Sequence, residues 1–411
     1  MVNIMKKIGE FSAFSALILF VALFSSCGRQ RNNLSLEEVE VFSLEYGNFE
    51  DELNIFDYNQ IGNIDTRIAM RNGFFYISNG ESQKIMEMNS YGDLLTLFYN
   101  EETNPRPSFA TEEGEALNAT RKAVSYPFNR VTELTVDGRK YIYAVDQLPL
   151  ERQEYDDELQ EHLEHIVVRF DGEGKFVDYL GQQGPGGTPF PFVKNIYVTN
   201  NNELVVVCVT SEGPIVYWFS EAGHMLFTIP IEKKNVPSPY EEDQEFYVEI
   251  ENVVPDYNDR ILYVKLDYSV PYVDEASRMQ SGVDFDRTTL YGLNVETGTY
   301  GEPMNIIPYT EVSVDEFSNL EYKIPYDFLG VSENGWFFFI ISNDRGFGLQ
   351  IIQANGQRIL NRQLEMDRQK TLFYTFNLSN SGILSALSIR SDKAYVDWWR
   401  TDSLIQSITN N

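Results

Sequence analysis

Short apolar or alternating runs, separated by Gly, Asn, Asp and Pro, recur along almost the whole chain. They are clearest over residues 67–98, which read RIAM, Asn72-Gly73, FFYIS, a polar break, KIMEMN, Tyr91-Gly92-Asp93 and LLTLF. Asn-Gly supplies the positive φ angles of a two-residue hairpin at low steric cost. Alternation such as Ile85, Met86, Glu87, Met88 sends neighbouring side chains to opposite faces of a strand. The stretch predicts a four-stranded antiparallel sheet of roughly forty residues, the size of one propeller blade.

Further copies follow. Blade 2 opens with NRVTELTV and KYIYAVD, is interrupted over residues 148–165, and resumes with HIVVRFD and KFVDYLG. Blade 3 is NIYVTN, ELVVVCV, IVYWFS and HMLFTIP. Blade 4 has FYVEIENVV, RILYVKLDY and TTLYGLNV around an insertion at 269–286, and is irregular enough to leave five or seven blades open. Blade 5 is PYDFLGVS, WFFFIIS, GLQIIQA and RILNRQL. Blade 6 shows only LFYTFNLS, ILSALSIR and AYVDWWR, while spare runs, VEVFSLEY and LNIFDY, stand before blade 1. A strand near residues 39–46 is expected to complete blade 6 and close the ring, which removes two exposed sheet edges. The predicted fold is an all-β, six-bladed propeller over residues 38–405 with a tail at 406–411. A pair of β-sandwiches would not need the repeated turn–strand spacing.

The start of the chain has another pattern. Lys6 and Lys7 precede an apolar stretch at residues 11–24 and then Phe24-Ser25-Ser26-Cys27. The stretch is short for a membrane span and has the length of a signal-peptide core. Small residues before a Cys resemble the lipobox of bacterial lipoproteins, with Phe24 where Leu is usual. That resemblance implies removal of residues 1–26, diacylglycerol on Cys27 and a tether through residue 37. The absence of Asp after Cys27 favours the outer membrane under enterobacterial-type sorting. An ordinary signal peptide with an incidental Cys is the alternative.

Charge narrows the partners. The chain of 411 residues carries a formal charge of −30, and loss of residues 1–26 (two Lys, one Glu) makes it −31. Such a surface repels nucleic-acid phosphates and anionic lipid heads, so attachment is expected through lipid, with no nucleic-acid partner. Aromatic content of 14% suits pleated, half-buried surfaces. Cys208, inside LVVVCV, reads as a buried, inert thiol.

The phrasing GFFYISNGESQKIMEMNSYGDLL resembles the NHL-type repeat of six-bladed propellers, and YLGQQGPGGTPFPFVKNIYVTNNNELVVV resembles the Gly-Pro inter-blade loop of bacterial NHL-like proteins. With the lipobox, the chain resembles propeller lipoproteins of spirochaetes, especially treponemes. The Asp of the aromatic-Val-x-Asp pattern is present as Asp146, replaced by Ser78-Asn79 in blade 1, and absent from blades 3 and 5. The resemblance implies a fold more than a chemistry.

Candidate chemistry is sparse. His162 and His165, three apart in the acidic insertion, would share a helix face if that insertion is helical, as its residues favour; no third metal ligand accompanies them. His224 follows a turn. The Gly-rich run at 181–187 is followed by Pro-Phe-Pro-Phe and a strand, not a helix, so it reads as an inter-blade loop and not a phosphate cradle. Asp256, Asn258 and Asp259 form an acidic turn with a backbone rationale. Trp336, Trp398 and Trp399 read as core residues between sheets. No catalytic residue is assigned. The expected function is a lipid-anchored, non-enzymatic propeller that binds a protein or glycan through insertions at 100–122, 148–165, 269–286 and 308–321. The alternative is a calcium-dependent hydrolase or lactonase at the channel mouth, with Ca2+ as its only cofactor.

Overall fold

The computed structural model describes residues 34–55, 64–110, 121–241, 244–273, 278–315 and 318–409. The signal-peptide and Cys27 readings, and residues 111–120 of the insertion at 100–122, lie outside these residues. The chain divides into Met1–Ser35 and Leu36–Asn411. The described part of the first unit, Leu34 and Ser35, is extended. The rest of the description concerns the second.

Six antiparallel sheets follow in chain order. Blade 1 pairs Thr66–Arg71, Phe74–Asn79, Lys84–Met88 and Leu94–Tyr99 in sequence. Blade 2 pairs Val131–Val136, Ile142–Gln147, His165–Phe170 and Phe176–Gly181. Blade 3 pairs Val193–Val198, Leu204–Thr210, Gly213–Phe219 and Met225–Pro230. Blade 4 has the long strands Tyr247–Pro255, Ile261–Val273 and Gln280–Asn294. Its outer edge is broken into Thr299–Tyr300 and Met304–Ile306, both paired with the third strand. Blade 5 contains Asp327–Val331, Trp336–Asn343, Gly346–Gln353 and Ile359–Glu365. Blade 6 contains Thr371–Leu378, Leu384–Arg390 and Ala394–Trp399, and Val39–Leu44 pairs antiparallel with the last of these, from Val39 opposite Trp398 to Leu44 opposite Ala394.

What makes this a ring is the distribution of apolar cores. Six clusters of buried side chains fill six gaps: blades 6 and 1 around Ile68, Phe75 and Leu387; blades 1 and 2 around Tyr76, Phe98 and Phe170; blades 2 and 3 around Tyr143, Val206 and Phe219; blades 3 and 4 around Val205, Trp218 and Leu262; blades 4 and 5 around Phe328, Phe337 and Phe339; blades 5 and 6 around Trp336, Phe338 and Trp399. A strand between two gaps must be apolar on both faces, which is why the middle strands read as continuous apolar runs. Along Trp336–Ile341 the side chains alternate between the two neighbouring cores. Each large side chain so buried contributes about 1.5–3 kcal/mol. The protein is an all-β, six-bladed propeller. Trp398 packs into the core between blades 6 and 1 and Trp399 into that between 5 and 6, on opposite faces as expected. Cys208 is fully buried, and burial pushes its thiol pKa well up.

Several local expectations are corrected. The insertion at 148–165 is not helical beyond one 3-10 turn at Leu150–Arg152. It is a β-hairpin, Glu154–Asp156 with Glu161–Leu163, closed by Gln160 at φ 56°. Pairing along the hairpin prevails over helical propensity because the segment has no apolar side to bury as a helix. His162 therefore lies across from Tyr155, while His165 starts the third strand of blade 2; they share no helix face. The insertion at 269–286 is the continuation of two blade 4 strands into a protruding hairpin. That at 308–321 begins a further hairpin, Tyr309–Asp315 with Ser318–Ile324. Part of the 100–122 connection leads into Lys122–Ser125, which adds to blade 1 in parallel with Leu94–Tyr99. Residues Thr401–Thr409 form an α-helix that covers the last residues assigned to the propeller and part of the expected tail at 406–411.

Candidate functional site

The first strands of all six blades line a central channel, with a cavity of about 230 Å³ between them. Because every blade repeats the same up–down order, the strands that line the channel run in one direction. The connections between blades, and those between second and third strands, must then leave from one face, called upper here. The tight turns between first and second strands, and between third and fourth, fall on the lower face.

All four long insertions are connections of the upper kind. Residues 100–122 and 308–321 join successive blades, and 148–165 and 269–286 join second to third strands. They bring exposed apolar side chains with them: Leu150 and Tyr155 from blade 2, Tyr272, Val273, Met279 and Val283 from blade 4, Tyr322 from the hairpin before blade 5. Phe192 and Tyr247, at the starts of blades 3 and 4, are exposed on the same face. His162 stands there too, its ring 5.1 Å from that of Tyr155.

Inside this rim the channel mouth is charged, and most of its charges are matched; Asp327 and Lys194 make no ion pair among the described residues. Arg67 Nε donates to Glu133 Oε1 at 2.6 Å, joining blades 1 and 2. Arg130 pairs with Asp65. Lys265, fully buried, lies 2.6 Å from Asp267 Oδ2 and 3.4 Å from Glu251 Oε2. Lys194 Nζ donates to the Glu251 carbonyl at 2.5 Å, and Phe328 N–H to the Glu251 carboxylate at 3.2 Å. Burial raises the pKa of Glu133 and Glu251, against the opposing pull of Arg67 on the first and of Lys265 and Lys194 on the second. Among the described residues, no three His, Cys, Asp or Glu side chains group closely enough to hold a metal ion.

The lower end is different. Here asparagines and backbone groups link one blade to the next. Gly138 N–H donates to Asn202 Oδ1 at 3.1 Å, Asn200 N–H to the Tyr257 carbonyl at 2.8 Å, and Asn200 Nδ2 to Asn258 Oδ1 at 2.9 Å. Asn258 Nδ2 donates to the Glu333 carbonyl at 3.0 Å and Glu333 N–H to the Asn380 carbonyl at 2.8 Å. This collar runs from blade 2 to blade 6. At blade 1, Arg71 stands in the remaining position and lines the cavity.

The residues singled out in the sequence occupy scaffold roles. Asp146 is buried and accepts the Asn129 and Arg130 backbone N–H groups, at 3.1 and 2.8 Å; burial nevertheless pushes its carboxyl up to about 6. Asn79 does the same work in blade 1, tying down Asn54 through both its amide atoms. His165 is buried, burial lowers its pKa, and its ring meets Phe192 at 5.5 Å. His224 is exposed on a lower-face turn. The 181–187 run folds on itself, with Gln182 N–H donating to the Thr188 carbonyl at 2.8 Å and Gly187 N–H to that of Gly184 at 3.0 Å, as an inter-blade loop should. Asp256 Oδ1 accepts the N–H groups of Asn258 and Asp259 at 2.7 and 2.9 Å, the backbone role expected for that turn. The channel pair Arg67 and Glu133, and Arg71, went unnoticed in the sequence. The available signal was a charge placed inside the first apolar run of a blade.

No family model and no curated protein sequence matches the chain. Among solved structures it is similar to a gluconolactonase from Xanthomonas campestris (10% identity, TM-score 0.39, covering 89% of this chain and 96% of that one). It is also similar to the polysaccharide lyase Uly1 (8%, TM-score 0.41, covering 89% and 99%) and to a putative gluconolactonase (12%, TM-score 0.40, covering 91% and 97%). At this distance the likeness assigns no activity, and the class of the protein rests on its own six blades.

Proposed function

We propose that the chain is a lipid-anchored, non-enzymatic binding propeller of the cell envelope, which captures a protein or glycan partner on its upper face. One observation carries the reading: four long insertions, separated in sequence, leave from one face, and the segments at blade 2, at blade 4 and before blade 5 carry exposed Tyr, Leu, Val and Met side chains. Exposed apolar groups gathered on a single face mark an interaction surface, and aromatic residues with few rotatable bonds are effective anchors for a partner. Loops on a rigid ring supply shape without disturbing the core. Anchorage through Cys27 and an outer-membrane address belong to this proposal and rest on the leader. So does ring closure, which we assign to Val39–Leu44.

The calcium-dependent hydrolase is the less favoured reading. A catalytic cation needs several unengaged oxygen ligands, and Asp65, Glu133, Glu251 and Asp267 are each already held by an arginine or lysine. Asp327 makes no ion pair among the described residues, but one carboxylate does not make a cation site.

Replacing residues 150–163 by a short turn tests the proposal. The expected outcome is a propeller that still folds, with reduced retention of envelope protein or polysaccharide on the immobilised protein. Retention unaltered after all four insertions are trimmed would remove the idea.

A further inference from the structure

The lower end of the channel carries an independent signal. Arg71 Nε is buried and has no hydrogen-bond partner among the described residues, and the guanidinium makes no ion pair among them. Its counterparts are all matched: Arg67 with Glu133, Arg130 with Asp65, Arg139 with Asp137. With 62 acidic residues against 32 basic ones, a counter-ion from the chain itself was easily available. A guanidinium donor withdrawn from water without a partner is costly, and here it borders a cavity instead of a carboxylate.

Two neutral donors border the same cavity. Asn377, on blade 6, accepts the Met70 N–H through Oδ1 at 3.0 Å; its amide nitrogen makes no hydrogen bond among the described residues. Tyr257, on blade 4, has its hydroxyl pKa pushed up to about 12 by burial, with Arg71 opposing the shift and the Glu333 carboxylate adding to it, so it remains a donor at neutral pH. We propose that this end of the channel binds the carboxylate of a small organic monoanion, with Arg71 as the charged fork and Asn377 Nδ2 and the Tyr257 hydroxyl as supporting donors. A planar carboxylate matches the guanidinium fork. A single unmatched cation suits a monoanion better than phosphate, for which the cavity offers neither a second unpaired cation nor a helix N-terminus. The cavity of about 230 Å³ limits the guest to an acid of a few carbons or one ring. The inference does not rest on partner capture at the upper face.

The test uses the full protein with acetate, lactate and benzoate as probes, against acetamide, lactamide, benzamide and inorganic phosphate at matched ionic strength. Thermal shift and calorimetric titration are the readouts. At least one carboxylate should bind saturably while its amide does not. Arg71→Gln should weaken that binding about tenfold or more, the scale of a charge-assisted hydrogen bond, and Asn377→Ala by a smaller factor. Arg71→Lys, which keeps the charge and loses the fork, should fall between them and carries the test if Arg71→Gln does not fold. No saturable carboxylate, binding undiminished in the Arg71 variants, or phosphate bound more tightly than every carboxylate would each overturn the proposal.

Discussion

Asp397 shows how single residues bear on this fold. It lies in the last strand of blade 6, essentially inaccessible, where it accepts the Ser388 hydroxyl at 3.2 Å and stands 3.6 Å from Arg390 Nη2. Burial, reinforced by the neighbouring Glu38 carboxylate, raises its pKa from 3.8 to about 7, with Arg390 opposing. The folded state therefore holds a proton that the unfolded state releases. That contribution is complete below about pH 4 and is lost as pH rises toward and through 7. Asp397→Asn, which keeps the shape without the charge, should stabilise the protein by about 1–2 kcal/mol above pH 7 and have little effect near pH 4. Denaturant melts at the two pH values check this; an equal effect at both would contradict the assignment.

At the scale of elements, the connection between blades 2 and 3 is the most constrained. A Cβ on Gly181 would lie 2.3 Å from the carbonyl oxygens of both Gly187 and Thr188. The loop therefore closes on bare backbone at Gly181, which serves close approach. Gly181→Ala should lower stability by about 1–3 kcal/mol, as overpacking does, measurable as a lower urea midpoint. Gly186, at φ 69° with nothing within 4 Å of its would-be Cβ, should respond only through backbone strain. The insertion hairpins are the opposite case. Side chains such as Leu150, Tyr272 and Met279 face solvent, while Leu159, Leu163, Tyr309 and Ile324 tie the hairpins to the blade body, so the exposed parts are free to vary in shape while the blades persist.

The whole molecule combines a strongly acidic composition with one face that carries long insertions. A chain of formal charge −30 gains nothing from an anionic bilayer; under the proposed anchoring the lipid alone would do the holding, which takes more than one acyl chain. Protease accessibility on intact cells, beside a periplasmic control, tests where the propeller faces. The expected outcome under envelope anchoring is cleavage confined to the upper-face insertions, either before lysis (a surface location) or only after it (a periplasmic one). Recovery of the chain in the soluble cytoplasmic fraction would rule out the anchored reading.

The strand and turn pattern alone determined the blade and its repetition, and pointed to six copies while leaving five or seven open. Both signals are local: alternation fixes which side chains share a face, and a turn such as Asn72-Gly73, at φ 52° and 81°, selects residues that tolerate left-handed backbone. The spare N-terminal run and the three-strand last blade were legible for the same reason, since an unpaired edge is a local deficit. Tertiary structure decided the rest. Arg67 meets Glu133 across 66 residues, Lys194 meets Glu251 across 57, and Met70 meets Asn377 across 307. No spacing rule links such positions, because the ring, not the chain, makes them neighbours. The hairpin at 154–163 was misread because its helix-favouring residues are exposed, and there strand pairing outweighs intrinsic propensity. The gathering of four scattered insertions on one face follows from blade parity, which becomes visible only once every strand has its place in the ring.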